Sequence, residues 1–109
     1  MRVIYTKHIP FTGYVAITIF EWVIARKEFK PLDEKILNHE SIHVAQNREM
    51  AYIFFYLWYA VEYLVRLIQY KGDMRKAYAN ISLEREAYDN DDDKSYISRR
   101  RHYAWRRFL

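Results

Sequence analysis

Apolar and polar positions divide the chain into a short β-rich beginning and a long helical remainder. Arg2 to Lys7 is brief and β-branched, which predicts a strand. Pro10 and Gly13 mark a turn, and Tyr14 to Phe29 is dense in Val, Ile, Thr, Phe and Trp, which favours extended backbone. Within it Val15, Ile17 and Ile19 alternate onto one aliphatic face. Pro31 ends the region, and Asp33 is a suitable N-cap for the helix that follows. Neither Gly nor Pro occurs between Leu32 and Lys71. This predicts one helix from about Asp33 to Met50 and a second, very apolar one from about Ala51 to Tyr70, either packed as two or continuous through a kink. Gly72-Asp73 closes that stretch. A further helix is expected over Leu83 to Asn90, capped by Asn80 or Ser82. A last amphipathic helix is expected over Tyr96 to Phe108, where Ile97, Ala104 and Phe108 recur at helical spacing. The fold class is therefore α+β and mainly helical: a small N-terminal β-region beside one helix, with three further helices, in a single domain over residues 1–109.

Composition narrows the chemistry. The chain has 109 residues and no Cys, which excludes disulfides and any thiolate metal site, so a metal must be held by His and carboxylate. The first ten residues lack a continuous apolar run, so no secretory signal is read there and a cytoplasmic location is expected. Net charge is +4, with an acidic cluster at Asp89, Asp91, Asp92 and Asp93 and arginines at 99, 100, 101, 106 and 107. That modest charge favours reading the arginines as the polar face of a helix rather than as a nucleic-acid surface. Ala51 to Val61 is uncharged over eleven residues, too short for the ~20 that cross a bilayer. It reads as a buried core helix, with peripheral membrane contact through 51–70 as the alternative, Trp58 and the tyrosines then lying at headgroup level.

The chemistry is concentrated in His39-Glu40-Ser41-Ile42-His43. Histidines at i and i+4 lie about 40° apart around a helix, so both rings reach one metal ion, with Glu40 beside them as general base. Zinc in a hydrolytic site takes a third protein ligand and leaves a position for water. The helix over Leu83 to Asn90 offers Glu84 and Glu86, which point about 200° apart. Ile81, Glu84, Ala87 and Tyr88 form the more apolar, inward stripe; Ser82, Glu86, Asp89, Asn90 and Asp93 form a polar stripe expected to face water. A ligand belongs inside, so Glu84 is preferred and Glu86 is the alternative. Asn38 and Asn47 flank the motif and can support the histidines from behind.

On these two motifs the chain resembles the gluzincin branch of the zincin metallopeptidases in a minimal, single-domain form, over about Tyr14 to Asn90. The later motif of that family is Glu-x-x-x-Asp or Glu-x-x-Ala-Asp. Glu84-Arg85-Glu86-Ala87-Tyr88 matches the Glu and the Ala and puts neutral Tyr88 where an aspartate supports a histidine ligand. The resemblance implies a sheet beside the active-site helix, with an edge strand from Tyr14 to Phe29 aligning a peptide or protein substrate. It also implies hydrolysis of that substrate by zinc-activated water with Glu40 as base. A donor for the developing oxyanion is expected from His8, His102 or one of the tyrosines. The alternative is a weakly catalytic or inactive scaffold of the same shape acting as a binding or regulatory module.

Overall fold

The computed structural model describes residues 2–7 and 15–109. The expected turn at Pro10 and Gly13, and His8, lie outside the described residues. Strands β1 (Arg2–Thr6), β2 (Ala16–Ile19) and β3 (Trp22–Arg26) form one sheet in the order β1-β3-β2. β1 runs parallel to β3, with Val3 opposite Val23, and β2 returns antiparallel, with Thr18 opposite Val23. Alternation on β3 turns Val23 and Ala25 inward, where they meet Leu32 and Val44. The aliphatic face expected of Val15, Ile17 and Ile19 does not point to the core: Ile17 is exposed and Thr18 is buried. The reason is chemical, because the Thr18 hydroxyl donates to Glu40 Oε2 at 2.5 Å on the neighbouring helix.

That helix, α1 (Glu34–Glu49), begins where the Asp33 side chain accepts from the Ile36 N–H at 2.9 Å. Its core-facing side is unusually polar, with His39, Glu40, His43, Gln46 and Asn47 all buried beside Ile42 and Val44. Helix α2 (Ile53–Gln69) follows after Ala51 and Tyr52, both at positive φ, and the two axes are bent by 111°. They are thus two helices rather than one kinked helix. No single helix among the described residues is long and apolar enough to cross a membrane.

Several expectations are corrected. α2 is not a buried core helix: Phe55 and Glu62 are its buried residues, and Ile53, Phe54, Leu57, Val61, Leu64, Val65 and Ile68 are exposed. A short chain has too few elements to cover both sides of such a helix. Four helices follow α1 instead of three, because Asp73 caps an extra one, α3 (Met74–Ala79), through the Lys76 N–H. α4 (Ser82–Asn90) is capped by neither Asn80 nor Ser82. The Glu62 carboxylate on α2 accepts from the Ser82 N–H at 2.7 Å and from its hydroxyl at 2.5 Å, so tertiary structure satisfies an N–H that the helix itself leaves unpaired.

The last helix is also broken. α5 (Tyr96–Arg99) stops at Arg100, which is extended, and a 3-10 turn resumes at Ala104–Phe108. Arg100 leaves the helix because its buried guanidinium bridges Glu49, at 2.6 Å, and Glu86, at 2.5 Å. Arg99 pairs with Asp93, so these two arginines are committed within the fold.

Candidate metal centre

α1 carries His39 and His43 on the face opposed to α4, and α4 presents Glu84 to both. His39 Nε2 lies 3.3 Å from Glu84 Oε1, His43 Nε2 lies 3.0 Å from the same oxygen, and the two Nε2 atoms are 3.2 Å apart. All three residues are buried and could hold a metal ion. Around one ion with bonds of about 2.0–2.1 Å and tetrahedral angles, adjacent donors stand about 3.3 Å apart. The observed triangle is close to that spacing.

Each donor is oriented by a partner on its other side. The Nδ1 of His39 lies 3.1 Å from Asp91 Oδ2, so its N–H donates to that carboxylate and Nε2 keeps its lone pair. The orientation of the His43 ring follows from Gln46. The Gln46 amide donates to the Leu83 carbonyl at 2.9 Å and to Glu86 Oε1 at 3.0 Å, so its oxygen must accept from His43 Nδ1, 2.8 Å away. Glu84 Oε2 accepts from the Tyr59 hydroxyl at 2.7 Å, which leaves Oε1 to face the histidines.

Electrostatics express the same convergence. Burial works against a charged His43, but the adjacent Glu84 carboxylate overrides it and lifts the imidazole to about 9. Burial likewise pushes Glu84 upward, and His43 with His39 overrides it, holding the carboxyl well below the usual range. The Tyr59 and Tyr78 phenols are driven far up, first by burial and then by Glu84, so both remain protonated donors.

A cleft reaches this group. A cavity of about 390 Å³ touches His43, Glu40 and Glu84 and is walled by Phe55, Tyr56 and Tyr59 of α2. A second recess of about 870 Å³ adjoins it and is lined by His39, Tyr88, Met74 and Arg75. Glu40, Ala16, Tyr63 and Tyr78 belong to both.

The other expected site residues fall elsewhere. Glu86 is not on a water-facing stripe: it is fully buried and holds Arg100, Gln46 and the Tyr96 hydroxyl, the last at 2.6 Å. Ser82, on the same stripe, is equally buried. Tyr88, expected inward, is half exposed and sets its ring edge against His39, with centroids 4.5 Å apart. Asn38 acts on His39 by way of Asp91. Its amide donates to the carbonyls of Asn90, Asp91 and Asp93 at 3.0–3.1 Å, and so positions Asp91. Asn47 donates to the His43 carbonyl at 2.9 Å. His102 is exposed and lines neither cavity.

Sequence reasoning missed Asp91, Gln46, Tyr59 and Thr18. Asp91 had a readable signal, because a residue seven after Glu84 returns to within about 20° of it on a helix. It was hidden among its acidic neighbours. Comparison of the chain with family models, with curated proteins and with solved structures finds no match.

Proposed function

We propose that this chain is a small zinc-dependent metallopeptidase of the gluzincin type. The observation that carries this reading is the convergence of His39, His43 and Glu84 at 3.0–3.3 Å beside Glu40, in a cleft. Two imidazoles and a carboxylate form a donor set suited to zinc with one position left open, and their spacing fits zinc bond lengths. Bound zinc would supply a Lewis acid that polarises a carbonyl and brings the pKa of water down to about 7.

The chain's own residues would do the rest. Glu40 takes the proton of the attacking water and returns it to the leaving amine. Thr18 holds Glu40 Oε2 and so sets which oxygen faces the substrate. Tyr78, protonated and 3.5 Å from the Tyr88 hydroxyl, lines both parts of the cleft beside Glu40. β2 is an edge strand among the described residues and lines the cleft through Ala16, Ile17 and Thr18, so a peptide can align along it. The neutral Tyr88 of the later motif is offset by Asp91, which brings a carboxylate to His39.

The test is metal analysis of the purified protein followed by a peptide-library cleavage assay. One zinc per chain and cleavage are expected, both lost in His39→Ala. Absence of stoichiometric metal would overturn the reading, and zinc without cleavage would leave a metal-bearing binding module.

A further inference from the structure

Helix α2 has two faces with opposite roles. Phe55, Tyr59, Glu62 and Arg66 turn inward, and the only two charged side chains of the helix pair with each other there at 3.2 Å. The outward face is Ile53, Phe54, Leu57, Ala60, Val61, Leu64, Val65 and Ile68. At 100° per residue these eight positions fall within an arc of about 140°, centred opposite the inward set. Every one is apolar and every one is exposed, Ile68 to 81%. Together they leave an apolar surface on the order of 800 Å², above the 300–600 Å² of the largest patch on an ordinary monomer.

Exposed charge just past the C-terminal end of α2 has one prevailing sign. Past its C-terminal end come the exposed Lys71, Arg75 and Lys76, with the Lys76 ammonium 4.8 Å from the Tyr70 ring centroid. The one acid among them, Asp73, is spent capping α3. Along the flank Trp58 packs on Trp105 and Trp105 on Tyr103, whose ring carries the Arg106 guanidinium at 5.7 Å. This chain of rings fastens the basic C-terminal segment beside α2.

We infer that the outer face of α2 is a docking surface for an anionic lipid bilayer, on which the helix lies in the plane of the interface. Its 17 residues span about 25 Å, short of the ~30 Å hydrocarbon core, so it rests on the membrane and does not cross it. A second copy is the competing occupant, because Phe54, Leu57, Val61, Leu64 and Ile68 follow the alternating three-and-four spacing of a helix seam. Two features favour lipid. Ile53, Ala60 and Val65 keep the flanks apolar where a helix pair places charges, and a face this wide is covered by a plane better than by one helix. In addition, a second copy would bring more cations to a cationic rim, whereas anionic headgroups complement it. Docked this way, α2 keeps the cleft-lining Phe55 and Tyr59 on the side away from lipid.

The experiment is co-sedimentation of the full chain with vesicles of equal phosphatidylglycerol and phosphatidylcholine, against phosphatidylcholine alone. Binding to the anionic vesicles is expected. Leu57→Ser and Leu64→Ser should each weaken it about tenfold, with helicity by circular dichroism unchanged. Lys71→Glu, at an exposed position that lines neither cavity, should weaken it about fivefold or more on the anionic vesicles. Should the leucine variants not fold, Ile68→Gln, at the most exposed position, serves in their place. Vesicle binding insensitive to these apolar substitutions would overturn the proposal. So would failure to bind the anionic vesicles, and a dimer in sedimentation equilibrium that Leu64→Ser dissociates would then make a second copy the occupant. None of these readouts depends on metal or cleavage, so the result stands apart from the peptidase reading.

Discussion

His39 and Asp91 are joined across two helices, with Nδ1 of the imidazole 3.1 Å from the Asp91 carboxylate, which is itself buried. The contact fixes the ring and its tautomer and makes Nε2 the better donor to a cation. Asp91→Asn keeps the shape and removes the charge, so metal affinity should fall about 10- to 100-fold. Competition against a chelator of known affinity measures this. Unchanged affinity in that variant would show that His39 needs no such support.

Glu84 and Glu86 are separable by what their loss damages. Glu84→Gln should abolish stoichiometric metal binding, because Oε1 is the atom that meets both histidines. Glu86→Gln should keep the metal and lose stability, by less than the about 3–5 kcal/mol of a wholly stranded buried charge, because Arg100 keeps Glu49 as a carboxylate partner. Metal content and urea denaturation together distinguish the two. A stable Glu86→Gln without metal would reverse the assignment.

Glu40→Gln should retain metal and lose about 10²–10⁴-fold in peptide hydrolysis, the range set by removal of a general base. Thr18→Val frees Glu40 Oε2 from its 2.5 Å donor and should change the rate far less than that. Equal activity of Glu40→Gln and wild type would remove Glu40 from the mechanism.

Metal removal should destabilise the fold. The three candidate ligands come from α1 and α4, so an ion would bind only when the two helices are packed. At free metal one hundred times the dissociation constant, mass action contributes about 2.7 kcal/mol. For a domain of this size that corresponds to a fall of roughly 10–20 °C in melting temperature on chelation. Calorimetry with and without chelator reads it directly; coincident transitions would mean that the site takes no metal.

Glu21 provides a pH dependence. Arg48 donates to it three times, from Nε to both carboxylate oxygens at 2.8–2.9 Å and from Nη2 at 2.5 Å, Tyr52 adds a fourth bond at 2.6 Å, and these donors lower its pKa from 4.5 to about 2. A depressed carboxyl stabilises the fold above its unfolded pKa, and the contribution disappears as pH falls from 4.5 through 2. Glu21→Gln should therefore flatten the acid limb of a urea-midpoint profile across that window. The effect is modest, because the Arg48 side chain is more than half exposed and solvent screens the pair. Identical acid limbs in variant and wild type would show that the β2–β3 turn is not held to α1 by this pair.

Local chemistry was enough for much of this protein. Asp33 caps α1 and the i and i+4 spacing puts His39 and His43 on one face, both through interactions within a few residues of chain, whereas Glu84 is held inward by His39, His43 and Tyr59. The sequence by itself therefore determined the α+β class and the helix of the histidines, and it left the third member of the group between Glu84 and Glu86.

Tertiary structure decided what depends on distant partners. Glu86 and Ser82 read as solvent-facing because their neighbours in sequence are polar, yet Arg100 and Glu62 bury them by completing their hydrogen bonds. A polar group enters the interior when its partner is there, and no helical period records a partner fourteen or twenty residues away. Asp91 lay on the helical period of Glu84, but its role needs the α4 terminus laid against α1 by Asn38. The outer face of α2 is the converse. Its apolar residues read as core, and it was the number of elements available to cover them that left them exposed.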